Sequence, residues 1–160
     1  MVFFSTVNRQ RERRQKSQED PAVRETALAV LRAADLVRKS AARVVEPHGV
    51  TLQQYNVLQI LQGAGQDGLP TLEVATRLIE ETPGVTRLMD RLEAKAFIRR
   101  QRCPQDRRQH LCWLTGDGAE LLARLTPAIA AALERTFRVF DSHKHQQLTA
   151  LLNSVDGSRE

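Results

Sequence analysis

At 160 residues the chain has the size of one compact domain, or of one small domain carrying extra helices, and it can bury a core; two separate large domains are not expected. Hydrophobic residues make up 41% but aromatics only 4%, so Leu, Ala and Val carry the core, a balance that leans towards helix. The formal net charge is +5, and between Lys95 and His110 six cations (Lys95, Arg99, Arg100, Arg102, Arg107 and Arg108) stand against the single anion Asp106, so the remainder of the chain is close to neutral and the basic window points to an anionic partner.

No apolar run is long enough for a membrane helix, and in MVFFSTVNRQ the basic residues follow the apolar ones, unlike a signal peptide. A cytoplasmic protein with no membrane partner is expected. Residues 1–20 are mostly polar and charge-mixed and are expected to form a flexible arm, helical near its end. From Pro21, the residues Val23, Ala27, Leu31, Ala34, Val37, Ala41 and Val44 recur every three or four positions until Pro47-His48-Gly49. That period predicts a long amphipathic helix over 21–47, with a small-residue stripe suited to packing on another helix, in this chain or a second copy.

Thr51-Leu52-Gln53-Gln54 is a capping box, and its helix runs through Tyr55, Leu58 and Leu61 to the glycines at 63, 65 and 68. Pro70-Thr71 opens a short helix, TLEVATRLIE, with Leu72, Ala75, Leu78 and Ile79 on one side. A second helix comes next, with Thr82 expected as N-cap and Pro83 as the first helical residue, where its missing N–H costs nothing. Phe97 to Arg102 and Gln109 to Leu114 read as two strands around a Pro-Gln-Asp tip. After Thr115-Gly116-Asp117-Gly118 comes a second long helical region, lined by Leu121, Leu122, Leu125, Ile129, Ala132, Leu133, Phe137 and Phe140. Pro127 is expected to kink it or to restart it with Thr126 as cap. Asp141-Ser142 ends it, and Leu148, Leu151, Leu152 and Val155 mark a last short helix.

Short helix, turn, second helix and hairpin together make a winged helix-turn-helix. The expected fold is mainly α: a winged helix-turn-helix with a two-stranded β-hairpin wing, plus N- and C-terminal dimerisation helices. The parts are the arm 1–20, a dimerisation helix 21–47, the DNA-binding domain 51–116 and C-terminal dimerisation helices 117–156. On the second helix Val85, Leu88, Met89 and Leu92 share one arc, while Pro83, Arg87, Asp90, Arg91 and Ala94 share the opposite one, with Thr86 at its edge. Gly84 removes a side chain where helix N-terminal amides approach a phosphate or a base edge.

An outward arginine reaches guanine O6 and N7 or a phosphate, and Arg107 or Arg108 on the wing reaches the minor groove. Asp106 is expected to hold one of those arginines, or Arg100, by a charge-assisted bond. The candidate DNA-binding set is Thr82, Pro83, Gly84, Thr86, Arg87, Arg91, Arg100, Asp106, Arg107 and Arg108. For any single arginine a solvated charge is the plainer reading; the concentration on the second helix and wing favours duplex DNA.

Cys112, opposite Arg100 in such a hairpin and in parity with Leu114, is expected to be buried, and Cys103 near the tip to be the more exposed thiol. Trp113 has outward parity and covers a helix or lines a pocket. The histidines of His143-Lys144-His145 are two apart and point away from each other, so solvated or capping roles are expected before a zinc site with His48 or His110. No nucleophile motif or glycine-rich phosphate loop is present, so no enzyme activity, catalytic residue, metal or cofactor is expected.

The stretch from Leu72 to Thr115 resembles the core of the MarR family of bacterial transcription regulators. The matching residues are Ala75, Thr86-Arg87-Leu88, Asp90-Arg91-Leu92-Glu93, Lys95, Arg100, Asp106 with Arg108, and Leu114-Thr115. The resemblance spans residues 21–155 and is firmest over 71–118. It implies a homodimer built from the N- and C-terminal helices, with recognition helix 82–94 in successive major grooves of a near-palindromic operator and wing 97–114 at the minor groove. It also implies repression relieved by a small aromatic or anionic effector bound between the dimerisation and DNA-binding parts. The chain departs from the pattern at Ala96, where glycine is usual, and at Ile79. The alternatives are a winged-helix protein-interaction scaffold and a redox- or metal-sensing regulator on the same fold.

Overall fold

The computed structural model describes residues 20–78, 84–103 and 109–155. The expected N-terminal arm and the departure at Ile79 lie outside them. Helix α1 (Pro21–Val45) ends where expected, in a 3-10 turn over Glu46–His48 that holds Pro47. Val23, Ala27, Leu31 and Ala34 of the predicted stripe are exposed, whereas Ala41 and Val45 enter the hydrophobic core. The chain divides into two compact units, one ending at Val37 and the other starting at Arg38.

In the second unit, the capping box of α2 (Leu52–Ala64) is formed in both directions. Thr51 Oγ1 accepts from the Gln54 N–H at 3.2 Å and Gln54 Oε1 accepts from the Thr51 N–H at 3.0 Å. This is how Gln54 is buried with its polar atoms satisfied. Strand β1 (Leu69–Pro70) leads into α3 (Thr71–Arg77), which is shorter than TLEVATRLIE because Leu78 turns extended, ψ 135°. Val74 is its buried side chain, and Leu72, placed on the core side by the periodicity, is 77% exposed. So short a helix buries one narrow arc, through Thr71, Val74, Ala75 and Leu78, and Leu72 lies about 100° off it.

Helix α4 (Val85–Ala94) is followed by β2 (Ile98–Arg102) and β3 (His110–Leu114). The hairpin register sets Arg100 opposite Cys112 and Ile98 opposite Leu114. The sheet has three antiparallel strands in the order β1-β3-β2, not two, with Leu69 opposite Cys112. A two-residue strand has too few positions to show an alternating pattern in sequence.

Helix α5 (Gly116–Phe137) continues through Pro127, so of the two expectations the restart at Thr126 does not occur. Leu121, Leu122, Leu125, Ile129 and Ala132 bury one face on both sides of the proline, and the carbonyl left without its helical N–H belongs to exposed Ala123, within reach of water. The Thr126 hydroxyl bonds instead to the Tyr55 hydroxyl, 3.2 Å away. Asp141 Oδ1 caps α6 (Ser142–Asn153) by accepting from the Lys144 N–H at 2.8 Å, and His145 packs edge-on against Phe137 and Phe140.

Two backbone positions hold the wing to its neighbours. At the end of α4 the Phe97 N–H donates to Leu92 O and the Ala96 N–H to Glu93 O, a Schellman arrangement whose left-handed residue is Ala96, φ 59°, where glycine is the favourable choice. At the start of α5, Gly118 is buried against the Phe97 carbonyl oxygen, and a Cβ there would overlap it. Ala96→Gly is therefore expected to raise the free energy of unfolding by about 1 kcal/mol. Gly118→Ala, a change that stabilises an ordinary helix interior, is expected to lower it by about 1–3 kcal/mol. Urea unfolding followed by circular dichroism reads both, and opposite signs to these would contradict the two local accounts.

Candidate nucleic-acid interface

Ten residues of α4 carry one buried arc, Leu88, Met89 and Leu92, with Val85 half-buried beside it. The opposite arc, Thr86, Arg87, Asp90, Arg91 and Ala94, is exposed, as the period requires. Among the described residues, Arg87 and Arg91 have no carboxylate partner. The helix starts later than expected. Gly84, φ 94°, occupies the N-cap position in a conformation glycine adopts freely, and Val85 is the first helical residue. Among the described residues no side chain caps this end. Thr82 and Pro83 themselves lie outside the described residues, as do Asp106, Arg107 and Arg108 of the wing tip.

Arg100 corrects the sequence reading. Its side chain is only 17% exposed and is turned onto α4: Nε donates to Glu93 Oε2 at 2.8 Å, and Nη2 to Glu93 Oε2 at 2.6 Å and to Asp90 Oδ1 at 2.5 Å. Its backbone N–H also donates to Glu93 Oε1, at 3.2 Å. Partial burial works against the charge, but the hydrogen bonds and charge of Glu93, then of Asp90, outweigh it and raise the guanidinium pKa further. This arginine is a link between recognition helix and wing, not an open cation at the surface. Asp90 and Glu93, which the sequence reading left without a role, are its partners. They stand ten and seven residues from Arg100, respectively, across a reversal of the chain, so no local spacing announces the pairing.

The other face of β2 carries Arg99, whose guanidinium stacks on Trp113 at 4.1 Å from the ring centroid, and Trp113 Nε1 donates to Gln66 O at 3.0 Å. Trp113 thus covers the loop after α2. Lys95 Nζ donates to Gly49 O, and Arg102 is exposed. An open groove of about 780 Å³ lies between α3, the start of α4 and the wing, lined by Thr71, Thr76, Thr86, Arg100 and His110 among others. The sequence reading did not anticipate it, because its walls come from separated elements. Among the described residues no three potential metal ligands cluster, and no helix is long and apolar enough to cross a membrane.

A helix-turn-helix whose second helix shows arginines without a carboxylate partner among the described residues, beside a β-ribbon, has the build of a winged-helix DNA-binding protein. A model of the MarR family matches residues 50–110. The chain is 30% identical over 124 residues to the HTH-type transcriptional regulator YkoM of Bacillus subtilis, covering 78% of this chain and 79% of that protein. It is 28% identical over 125 residues to the homoprotocatechuate degradative operon repressor of Escherichia coli, covering 78% and 83%. The structure of the S. aureus MepR–DNA complex superimposes with a TM-score of 0.70 and 25% identity, over 81% of this chain and 93% of that one. The chain belongs to the MarR family and is a DNA-binding transcriptional regulator.

The two thiols differ as the hairpin register requires. Cys112 is fully buried, and burial pushes its pKa up against the opposing pull of the Thr71 hydroxyl and Arg100; Cys103 is half-buried. A thiol whose folded pKa is raised contributes stability that is complete below its unfolded pKa of about 8.5 and is lost as pH rises beyond it. The melting temperature is thus expected to fall above about pH 8.5 more steeply in the wild type than in Cys112→Ala. Iodoacetamide should modify Cys103 in the folded chain and Cys112 only on unfolding; rapid modification of both at neutral pH would contradict this.

Proposed function

We propose that this chain is a cytoplasmic homodimeric repressor that reads a near-palindromic operator, with α4 in the major groove and the wing at the minor groove, and that it carries no enzyme activity. The observation that carries this is the single outward arc of α4, on which Thr86, Arg87 and Arg91 are exposed and both arginines lack an ionic partner among the described residues. Gly84, without a side chain, lets the first amides of α4 approach a phosphate. Thr82, Pro83, Asp106, Arg107 and Arg108 complete the proposed contact set.

Homodimerisation is supported in each unit separately. The first exposes Val23, Leu28, Val30, Leu31 and Leu36, and α6 and the segment after it expose Leu151, Leu152 and Val155; apolar side chains gathered in this way are surfaces for a partner. The E. coli relative is by name the repressor of a degradative operon for homoprotocatechuate, an aromatic anion. On that likeness, a small aromatic or anionic effector releases this chain from DNA. The groove between α3, the start of α4 and the wing, with Thr71, Thr76 and Thr86 on its walls, is the place we assign to such a ligand.

Selection of bound fragments from genomic DNA should return a two-fold symmetric operator. Arg87→Ala should weaken binding to it by about 1–3 kcal/mol. Equal operator affinity of wild type and variant in a gel-shift titration would favour the scaffold reading. Light scattering should give a mass twice that of the chain. An aromatic carboxylate, and neither oxidant nor zinc, should shift DNA affinity; a shift by oxidant or zinc alone would favour the sensor reading.

A further inference from the structure

We infer that Arg100 is a positioning residue: its pairing with Glu93 and Asp90 sets the angle between recognition helix and wing, so that the two arms meet DNA as one rigid unit. This rests on the DNA-binding reading above. Glu93 lies in the last turn of α4, next to the negative end of the helix dipole, and a carboxylate there needs a compensating cation. Arg100 supplies it with its side chain, and with its backbone N–H registers β2 against the same carboxylate. One carboxylate that accepts from both the main chain and the side chain of a single residue resists both sliding and rotation of the strand. Asp90, one turn earlier, takes the outer nitrogen and closes the link across about one turn of helix.

The chain between these groups turns at Ala96, in a strained left-handed conformation. Such a turn is held by its surroundings rather than by its own preference. The guanidinium, 17% exposed, would have to give up two carboxylates to reach a phosphate. The benefit to binding is geometric. A wing fixed to α4 presents its cations at high effective concentration once α4 has docked, whereas a loose wing loses that advantage without losing a single contact group.

The test compares wild type, Glu93→Gln, Arg100→Lys and Arg100→Gln, each checked for a wild-type-like circular dichroism spectrum. Anisotropy titrations over a salt series would use the operator duplex recovered by genomic selection and a scrambled duplex of equal length. Simple electrostatics predicts that removing the Glu93 charge tightens binding to DNA. Positioning predicts the reverse: Glu93→Gln and Arg100→Lys each lose about tenfold on the operator and keep their affinity for the scrambled duplex, while Arg100→Gln keeps the wild-type salt slope. Operator binding by Glu93→Gln as tight as wild type, or a slope reduced by about one in Arg100→Gln, overturns the proposal. Hydrogen exchange of the free protein gives an independent arm. The Arg100 amide should exchange at least about tenfold faster in Glu93→Gln with α4 amides unchanged, and unchanged exchange overturns the link whatever DNA does. Wild-type protein that binds neither duplex would refute the DNA-binding reading, and the exchange arm would still decide the link.

Discussion

Burial of Leu88, Met89 and Leu92 determines which face α4 shows to solvent. These three side chains sit in one cluster with Leu58, Leu61, Ile98 and the leucines of α5, and a close-packed interior leaves no room for the helix to rotate. In a helix of under three turns, that one contact sends Thr86, Arg87 and Arg91 outward. The arginines need no partner of their own to be presented; the core orients them.

The wing is held from both of its faces, and strand alternation decides how. Arg99 and Arg100 are neighbours in sequence but point to opposite sides of β2, one onto Trp113 and the other onto Glu93 and Asp90. The count of cations in the basic window therefore overstates what is open to a nucleic acid. Lys95, Arg99 and Arg100 are engaged within the fold, and among the described cations of that window Arg102 alone is exposed and without such a partner. Charge that looks like a DNA-binding patch in composition is in part the fastening of the element that bears it.

The same economy of space appears where the chain leaves α4 and enters α5. The Phe97 carbonyl accepts from the Thr115 N–H and lies against Gly118, so wing root and α5 share one backbone contact. A glycine is present where there is no room for a Cβ, while Ala96, a position that favours glycine, keeps its methyl at φ 59°. The surrounding hydrogen bonds of the helix end hold that conformation in place.

Much was legible in the linear chain because it depends on local period and capping. The extent of α1 and its stop at Pro47, the Thr51–Gln54 box, the buried and exposed arcs of α4 and the opposition of Arg100 and Cys112 all come from spacing along one element. Motif matches around Asp90-Arg91-Leu92-Glu93 extended this to the family. What tertiary structure alone decided involves residues brought together from separate elements. Pairing with β3 made Leu69–Pro70 a strand; burial on both sides kept α5 continuous through Pro127; and two acidic side chains of α4 turned Arg100 from an apparent DNA contact into a link. Sequence spacing states which way a side chain leaves its own element, and only packing states what it meets there.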